Sequence, residues 1–216
     1  WRELLPLIGE DPARVDRDDF EGLWEKRFAE VPEEKLRGAL CERSFDLLSV
    51  TRLMQTWAVE RSAEGVGVNV ISMTHCVGDV YWVLWLHRLV SSWRDGEDWI
   101  MPIAPLFETI DDLHRAADML REMLRHPRYR ETLDAQGGRQ TVMVGYSDSA
   151  KDGGYLAACW ALYQGQEAMQ RVAAEEGVGL PCFHGRGGAL GRGGGPAARA
   201  IQSLPPQNGD AHIRMT

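Results

Sequence analysis

Beyond Gly65 five short apolar runs, each closed by a polar or glycine-rich turn, limit what this sequence can become: Val68 to Met73, Ile100 to Leu106, Thr141 to Tyr146, Leu180 to Phe183 and His212 to Thr216. Between them, Val80 to Val90, Leu113 to Leu124 and Tyr155 to Val172 carry apolar residues at the i, i+3, i+4 spacing of helices. A strand that is apolar along its whole length needs cover on both faces. Strand, helix, strand alternation supplies that cover through right-handed crossovers on a parallel sheet. The chain therefore reads as helix-rich α/β, with about four βα units and additional helices. Residues 1–64 precede this pattern as a helical lead-in. There Leu36, Leu40, Leu47 and Leu48 recur near helical spacing, Pro12 and Pro32 stand where helices begin, and clustered acids with interspersed Lys and Arg read as a solvated face. The expected division is 1–64 and 65–216.

Composition narrows the function classes. With 44% hydrophobic residues and eight Trp, the chain can build a core and is not low-complexity disorder. Its longest unbroken apolar run, Val80 to Leu86, is far too short to span a bilayer, so no membrane partner is expected. The 24 Lys and Arg against 32 Asp and Glu leave a net charge of −8, which argues against a nucleic-acid-coating surface. Cys41, Cys76, Cys159 and Cys182 are widely spaced and form no C-x-x-C pair; they read as reduced, small buried hydrophobes. No secretion signal precedes the first structured residues, making a cytoplasmic location the default. An opening at Trp1 and a last apolar run with nothing after it suggest an excerpt of something longer.

The strand ends carry residues that core packing would not select: Ser72, Thr74 and His75, then Glu108, then Asp148 and Lys151, then His184 and Arg186. Loops at the carboxyl ends of parallel strands build active sites in both barrels and open sheets. After the fourth run, seven of the eleven residues from 185 to 195 are glycine, and Arg186 and Arg192 stand among them. Glycine permits positive φ and exposes successive N–H groups, while arginine presents a planar fork to oxyanions. The pattern suits an anionic substrate. It is neither a P-loop nor a G-x-G-x-x-G fingerprint, since no Gly-Lys-Ser/Thr follows, and Leu190 and Pro196 occupy the places of the required glycines. A flexible linker is the bland alternative, but this segment directly follows an apolar strand.

The stretch from Val142 to Gly154 delivers Asp148 and Lys151 into a turn before the Tyr155 helix. A carboxylate there suits a hard divalent cation, and an ammonium three residues on can neutralise phosphate or enolate oxygen. The same two residues could equally be a helix cap and a surface ion pair. Glu108 follows the second run, and Thr109 or Asp111 can cap the next helix, which leaves Glu108 free to share Mg²⁺ or Mn²⁺ with Asp148. Capping is the preferred reading for Asp111 and Asp112. His87, His114 and His126 sit on helices without ligand partners at i±4, and Trp82, Trp85 and Trp93 read as core; His75 stays an open candidate.

Taken together, these stretches resemble phosphoenolpyruvate carboxylase. The form V-M-x-G-Y-S-D-S-x-K-D-x-G is met from Val142 to Gly154, F-H-G-R-G-G-x-x-G-R-G-G from Phe183 to Gly194, and A-P-L-F-E-T-x-D-D-L from Ala104 to Leu113. The resemblance covers about Val68 to Thr216. It implies part of a (β/α)8 TIM-type barrel, in a cytoplasmic, allosteric homotetramer that makes oxaloacetate from phosphoenolpyruvate and bicarbonate and so feeds the tricarboxylic acid cycle. It further implies that Glu108 and Asp148 hold Mg²⁺ or Mn²⁺, that Lys151 and Arg192 are catalytic, and that Arg186 binds phosphate with His184 in support. Gly187, Gly188, Gly193 and Gly194 would line the substrate. Ala189 stands where the family has Ser or Thr, and Gln207-Asn208 replaces Gly-Ser. The family's T-A-H-P-T histidine is expected upstream, so this stretch alone is expected to be inactive. The alternatives are a non-catalytic phosphoenolpyruvate-binding homologue and another divalent-metal barrel lyase or phosphotransferase.

Overall fold

A computed structural model describes residues 2–15, 21–24, 33–91, 100–185, 205 and 213–215. Two compact units divide them, one made of Trp1–Val68 with Gly78–Met101, the other of Asn69–Val77 with Pro102–Thr216.

The first unit is helical among its described residues. A 3-10 turn at Leu5–Ile8 precedes helices α1 (Glu33–Ala39), α2 (Glu42–Glu60) and α3 (Ala63–Val66), and most of α4 (Val77–Ser91) belongs to this unit. Trp82 and Trp85 meet edge to face at 5.4 Å between ring centroids, both buried, as expected of core residues. The Trp85 indole N–H donates to Leu23 O at 3.1 Å, and Arg88 lies 4.4 Å over the Trp24 ring while its Nε donates to Trp24 O. Polar groups taken into this core are largely matched, although Gln55 Oε1 is buried with no hydrogen-bond partner among the described residues. Gln55 Nε2 donates to His87 O at 2.8 Å, and His87, fully buried, places Nδ1 3.0 Å from Met101 O. Burial pushes the His87 imidazole down to about 4 from 6.5, against the opposing pull of that carbonyl.

The second unit contains a five-stranded parallel sheet in the order β1 (Asn69–Ile71), β2 (Ile103–Phe107), β3 (Val142–Gly145), β4 (Cys182–Gly185) and β5 (Ile213–Met215). Each strand overlaps one of the apolar runs, β2 reaching one residue beyond its run to Phe107 and β4 two residues beyond its run to Gly185. Neighbours in space are neighbours in sequence, with no reversal of strand order at a switch point, so the sheet fits part of an α/β barrel better than a doubly wound fold.

On this sheet pack α5 (Ile110–Arg125) and α8 (Tyr155–Glu175). Thr109 caps α5 with a full capping box: its hydroxyl accepts from Asp112 N at 3.1 Å, and Asp112 accepts from Thr109 N. Leu113, Ala116, Leu120 and Leu124 then form the buried stripe of α5 against Ala161, Leu162, Met169 and Val172 of α8. The helices approach closely because Gly165 has no side chain; a Cβ there would lie 2.9 Å from Leu113 O. At the far end Arg121 and Arg125 pair with Glu175 and Glu176 at 2.8 and 2.7 Å. Helix α6 (Pro127–Ala135) follows α5 and brings Tyr129 to the buried Gln140 side chain. Gln140 Nε2 also donates to Ile103 O, which ties the amino ends of β2 and β3 together.

Two expectations are corrected. Asp148 and Lys151 lie not in a turn but on a short helix, α7 (Ser147–Gly153). A tertiary contact helps to hold it, Ile110 N donating to Asp152 Oδ2 at 3.1 Å; Ser149 Oγ donates back one turn to Gly145 O at 3.0 Å, and Gly153 lies where an added Cβ would press on the Ile110 side chain. The four cysteines are free, as read, but only Cys182 is buried. Cys41 is exposed at the start of α2, and Cys76 and Cys159 are half-buried. Burial raises the Cys182 thiol to about 12, a packing group and not a nucleophile.

Candidate active site

Parallel pairing carries the strand ends to one edge. Phe107 is level with Val144 and Gly145 with Gly185, so Glu108, which follows Phe107, sits beside the last residue of β3. Gly145 makes that approach possible, since a Cβ there would lie 3.3 Å from Glu108 Cα and 3.4 Å from its Cγ. Three residues after Gly145, the first turn of α7 presents Asp148 on the same edge as Glu108, close enough that the Glu108 side chain helps to lower the Asp148 carboxyl.

Lys151 completes the cluster. Its Nζ donates to Asp148 Oδ1 at 2.8 Å across one turn of α7, so the ion-pair alternative is real; the helix cap, however, is Tyr146 and not Asp148. The Lys151 ammonium first, and then the hydrogen bond to Glu108, hold the Asp148 carboxyl below its ordinary range. The Asp148 and Lys151 side chains are 46% and 72% exposed, so water weakens their attraction for each other and both remain open to a ligand.

Two carboxylates gathered at one open edge repel each other, and the single Lys151 ammonium offsets only part of that charge. Their hard oxygen donors fit Mg²⁺ or Mn²⁺. Among the described residues no group of three or more His, Cys, Asp and Glu side chains gathers, so the protein would contribute two ligands here. Mg²⁺ is commonly held by one or two carboxylates, with water and substrate phosphate completing its shell. The remaining Glu108 oxygen is not idle: Oε1 accepts from Met73 N at 3.0 Å, in the turn after β1.

His184, on β4, is buried, and its Nδ1 lies 2.8 Å from the Tyr146 hydroxyl. That contact makes it a strut between the ends of β3 and β4, with Tyr146 a partner that the sequence motif contained but periodicity did not single out. Arg186, Gly187, Gly188, Arg192, Gly193 and Gly194 lie outside the described residues. Of the glycine loop only Gly185 is described, level with Gly145 on the same edge. Two charged residues near the site escaped functional assignment. Buried Asp112 accepts from His75 Nδ1 at 2.9 Å and from the Thr109 hydroxyl at 2.7 Å, and Arg115 bridges Asp112 at 3.3 Å and His75 O at 3.2 Å. Helix-cap chemistry pointed to Asp112, but no spacing rule links it to His75.

A parallel sheet that carries Glu108, Asp148 and Lys151 at its carboxyl edge defines an α/β protein with hard oxygen donors and an ammonium group gathered at one place. The profile of the phosphoenolpyruvate carboxylase family matches residues 32–216, and the chain belongs to that family. It is 52% identical to the phosphoenolpyruvate carboxylase of Hahella chejuensis over 153 residues, 71% of this chain and 16% of that protein. To the Rhodothermus marinus carboxylase it is 38% identical over 232 residues, 99% of this chain and 24% of the relative. Identity to the Chromohalobacter salexigens carboxylase is 45% over 180 residues, 82% and 20% of the two chains. The chain thus spans between about a sixth and a quarter of the length of these curated relatives. Among the described residues no helix is long and apolar enough to cross a membrane.

Proposed function

We propose that this chain is the metal- and phosphate-binding segment of a phosphoenolpyruvate carboxylase. The observation that carries the reading is the placing of Glu108 and Asp148 on one carboxyl edge of a parallel sheet, Glu108 against Gly145 at the end of β3 and Asp148 three residues further on with Lys151 at 2.8 Å. The family's three motifs, in order along the sequence, support it. When bound, Mg²⁺ or Mn²⁺ would supply positive charge facing the substrate's phosphate and enolate oxygens.

The residues of the chain divide the remaining work. Glu108 and Asp148 hold the cation, with Met73 N fixing the Glu108 carboxylate. Arg186 binds the phosphate of phosphoenolpyruvate, and Gly187, Gly188, Gly193 and Gly194 belong to the substrate-binding loop. A bicarbonate oxygen attacks phosphorus, and the bond from phosphorus to the enol oxygen breaks. Carboxyphosphate and pyruvate enolate result. Lys151 and Arg192 stabilise the enolate oxygen while carboxyphosphate releases CO₂ and phosphate. The enolate methylene carbon then bonds to CO₂, giving oxaloacetate. His184, fixed by Tyr146, supports the strand from which the glycine loop departs.

In the same reading the strands beyond these five complete a (β/α)8 barrel, and the whole enzyme is a cytoplasmic homotetramer under allosteric control, supplying oxaloacetate to the tricarboxylic acid cycle. Assay of the full-length protein for oxaloacetate formation dependent on bicarbonate and Mg²⁺ tests it. Phosphoenolpyruvate binding without turnover would point instead to a non-catalytic homologue.

A further inference from the structure

The turn after β1 is tied into the candidate site by contacts that no assigned role uses. Met73 is the one non-glycine residue with positive φ among the described residues, at 53°, a conformation rarely adopted by side-chain-bearing residues. Such a backbone persists only where its surroundings hold it. Here the strained residue aims its N–H at Glu108 Oε1, 3.0 Å away.

The two residues after Met73 hold that aim. Thr74, fully buried, replaces the missing strand backbone: its N–H donates to Leu106 O at 3.4 Å, its hydroxyl accepts from Leu106 N at 3.3 Å and donates to Ile71 O at 2.8 Å. His75 is the second clamp. Its Nδ1 lies 2.9 Å from Asp112 Oδ1, and Arg115 spans Asp112 Oδ1 and His75 O. Burial works to raise the Asp112 carboxyl, but hydrogen bonds from His75 and Thr109 outweigh it and leave the group below its ordinary range. An ionised Asp112 requires Nδ1 to carry the proton and donate. Asp112 is itself rigid, because the capping box of α5 holds its other oxygen.

We infer that His75, through its contact with Asp112, is a positioning residue for Glu108, holding the strained Met73 turn so that its N–H orients the carboxylate toward a divalent cation. This rests on the reading that Glu108 and Asp148 bind that cation. Groups that orient a metal's carboxylate ligands are commonly worth 10- to 100-fold in metal affinity.

The test measures Mn²⁺ binding to the full-length protein by electron paramagnetic resonance, with urea midpoints recorded for every variant. His75→Ala is expected to raise the Mn²⁺ dissociation constant about tenfold or more while the urea midpoint hardly moves. His75→Asn puts an amide N–H where Nδ1 stood and should restore most of the affinity. His75→Gln carries its amide one bond too far to make that contact and should bind as His75→Ala does, a comparison that stands even if the alanine variant does not fold. Unchanged Mn²⁺ affinity in His75→Ala, or equal affinity in the Asn and Gln variants, overturns the inference. So does a fall in kcat at saturating Mn²⁺ with unchanged metal affinity, which would make His75 a group acting on substrate. Glu108→Gln separates this from the parent reading: if Mn²⁺ binds that variant as well as the native protein, the metal site itself is elsewhere.

Discussion

Acidification should selectively weaken the first unit through one residue, His87. Its ring is sealed inside the helical core with Nδ1 donating to Met101 O, and burial holds its pKa at about 4. In the unfolded chain the same imidazole takes a proton near 6.5. Between those values the unfolded state binds a proton that the folded state refuses. Stability attributable to this residue is therefore intact above pH 6.5, falls as pH drops, and is fully lost below about 4. The gap corresponds to about 3 kcal/mol in full and to about 2 kcal/mol already at pH 5. Carboxylates titrate in the lower part of this range too, so the measurement is a difference: urea unfolding of native protein and of His87→Gln, which stays neutral throughout, at half-unit steps from pH 7.5 to 4.5. The stability gap between the two should shrink by about 2 kcal/mol from pH 7.5 to 5. An NMR titration of the imidazole carbon-bound protons should show no change through pH 5. A gap constant to within about 0.5 kcal/mol, or an imidazole titrating near 6.5, would refute the argument that burial dominates over the Met101 carbonyl.

Three further outcomes are expected. Gly165→Ala should destabilise by about 1–2 kcal/mol in urea melts despite alanine's better helix propensity, because its Cβ would sit 2.9 Å from Leu113 O and force α5 from α8; any stabilisation contradicts the close approach. Thr109→Ala removes the capping box of α5 and should cost about 1 kcal/mol by the same measurement, with no loss if the box contributes nothing. In the full-length protein, Lys151→Met should lower kcat for oxaloacetate formation by about 10²-fold or more, and Arg192→Ala should abolish it; full activity in either variant sinks the role given to that side chain.

Much of the site could be read before any coordinates, because its residues are local to strand ends. Glu108 follows an apolar run, and Thr109 supplies a capping residue in the right place, so the carboxylate was correctly separated from the helix it precedes. The α7 helix was not legible. Ser147, Asp148 and Ser149 favour turns as readily as helix, and Gly153-Gly154 reads as a release of the chain; the bond from Ile110 N to Asp152 Oδ2 and the packing of Ile110 against Gly153 decide in favour of helix. Exposure of Cys41 was likewise invisible to a rule that cysteines tend to be buried.

From the sequence alone came the parallel α/β class, the approximate positions of all five strands and the strand-end placement of Glu108, Asp148, Lys151 and His184, since apolar runs and strand-end polarity are local properties of the chain. Tertiary structure alone decided which of these touch. Glu108 comes to the end of β3, three residues from Asp148, only because parallel pairing sets Phe107 level with Val144 and because Gly145 leaves room. His75 meets Asp112, 37 residues away, only because β1 pairs with β2 and the turn after β1 folds over its neighbour. Local pattern reports what a segment prefers, whereas contact across strands depends on register, and register is a property of the assembled sheet.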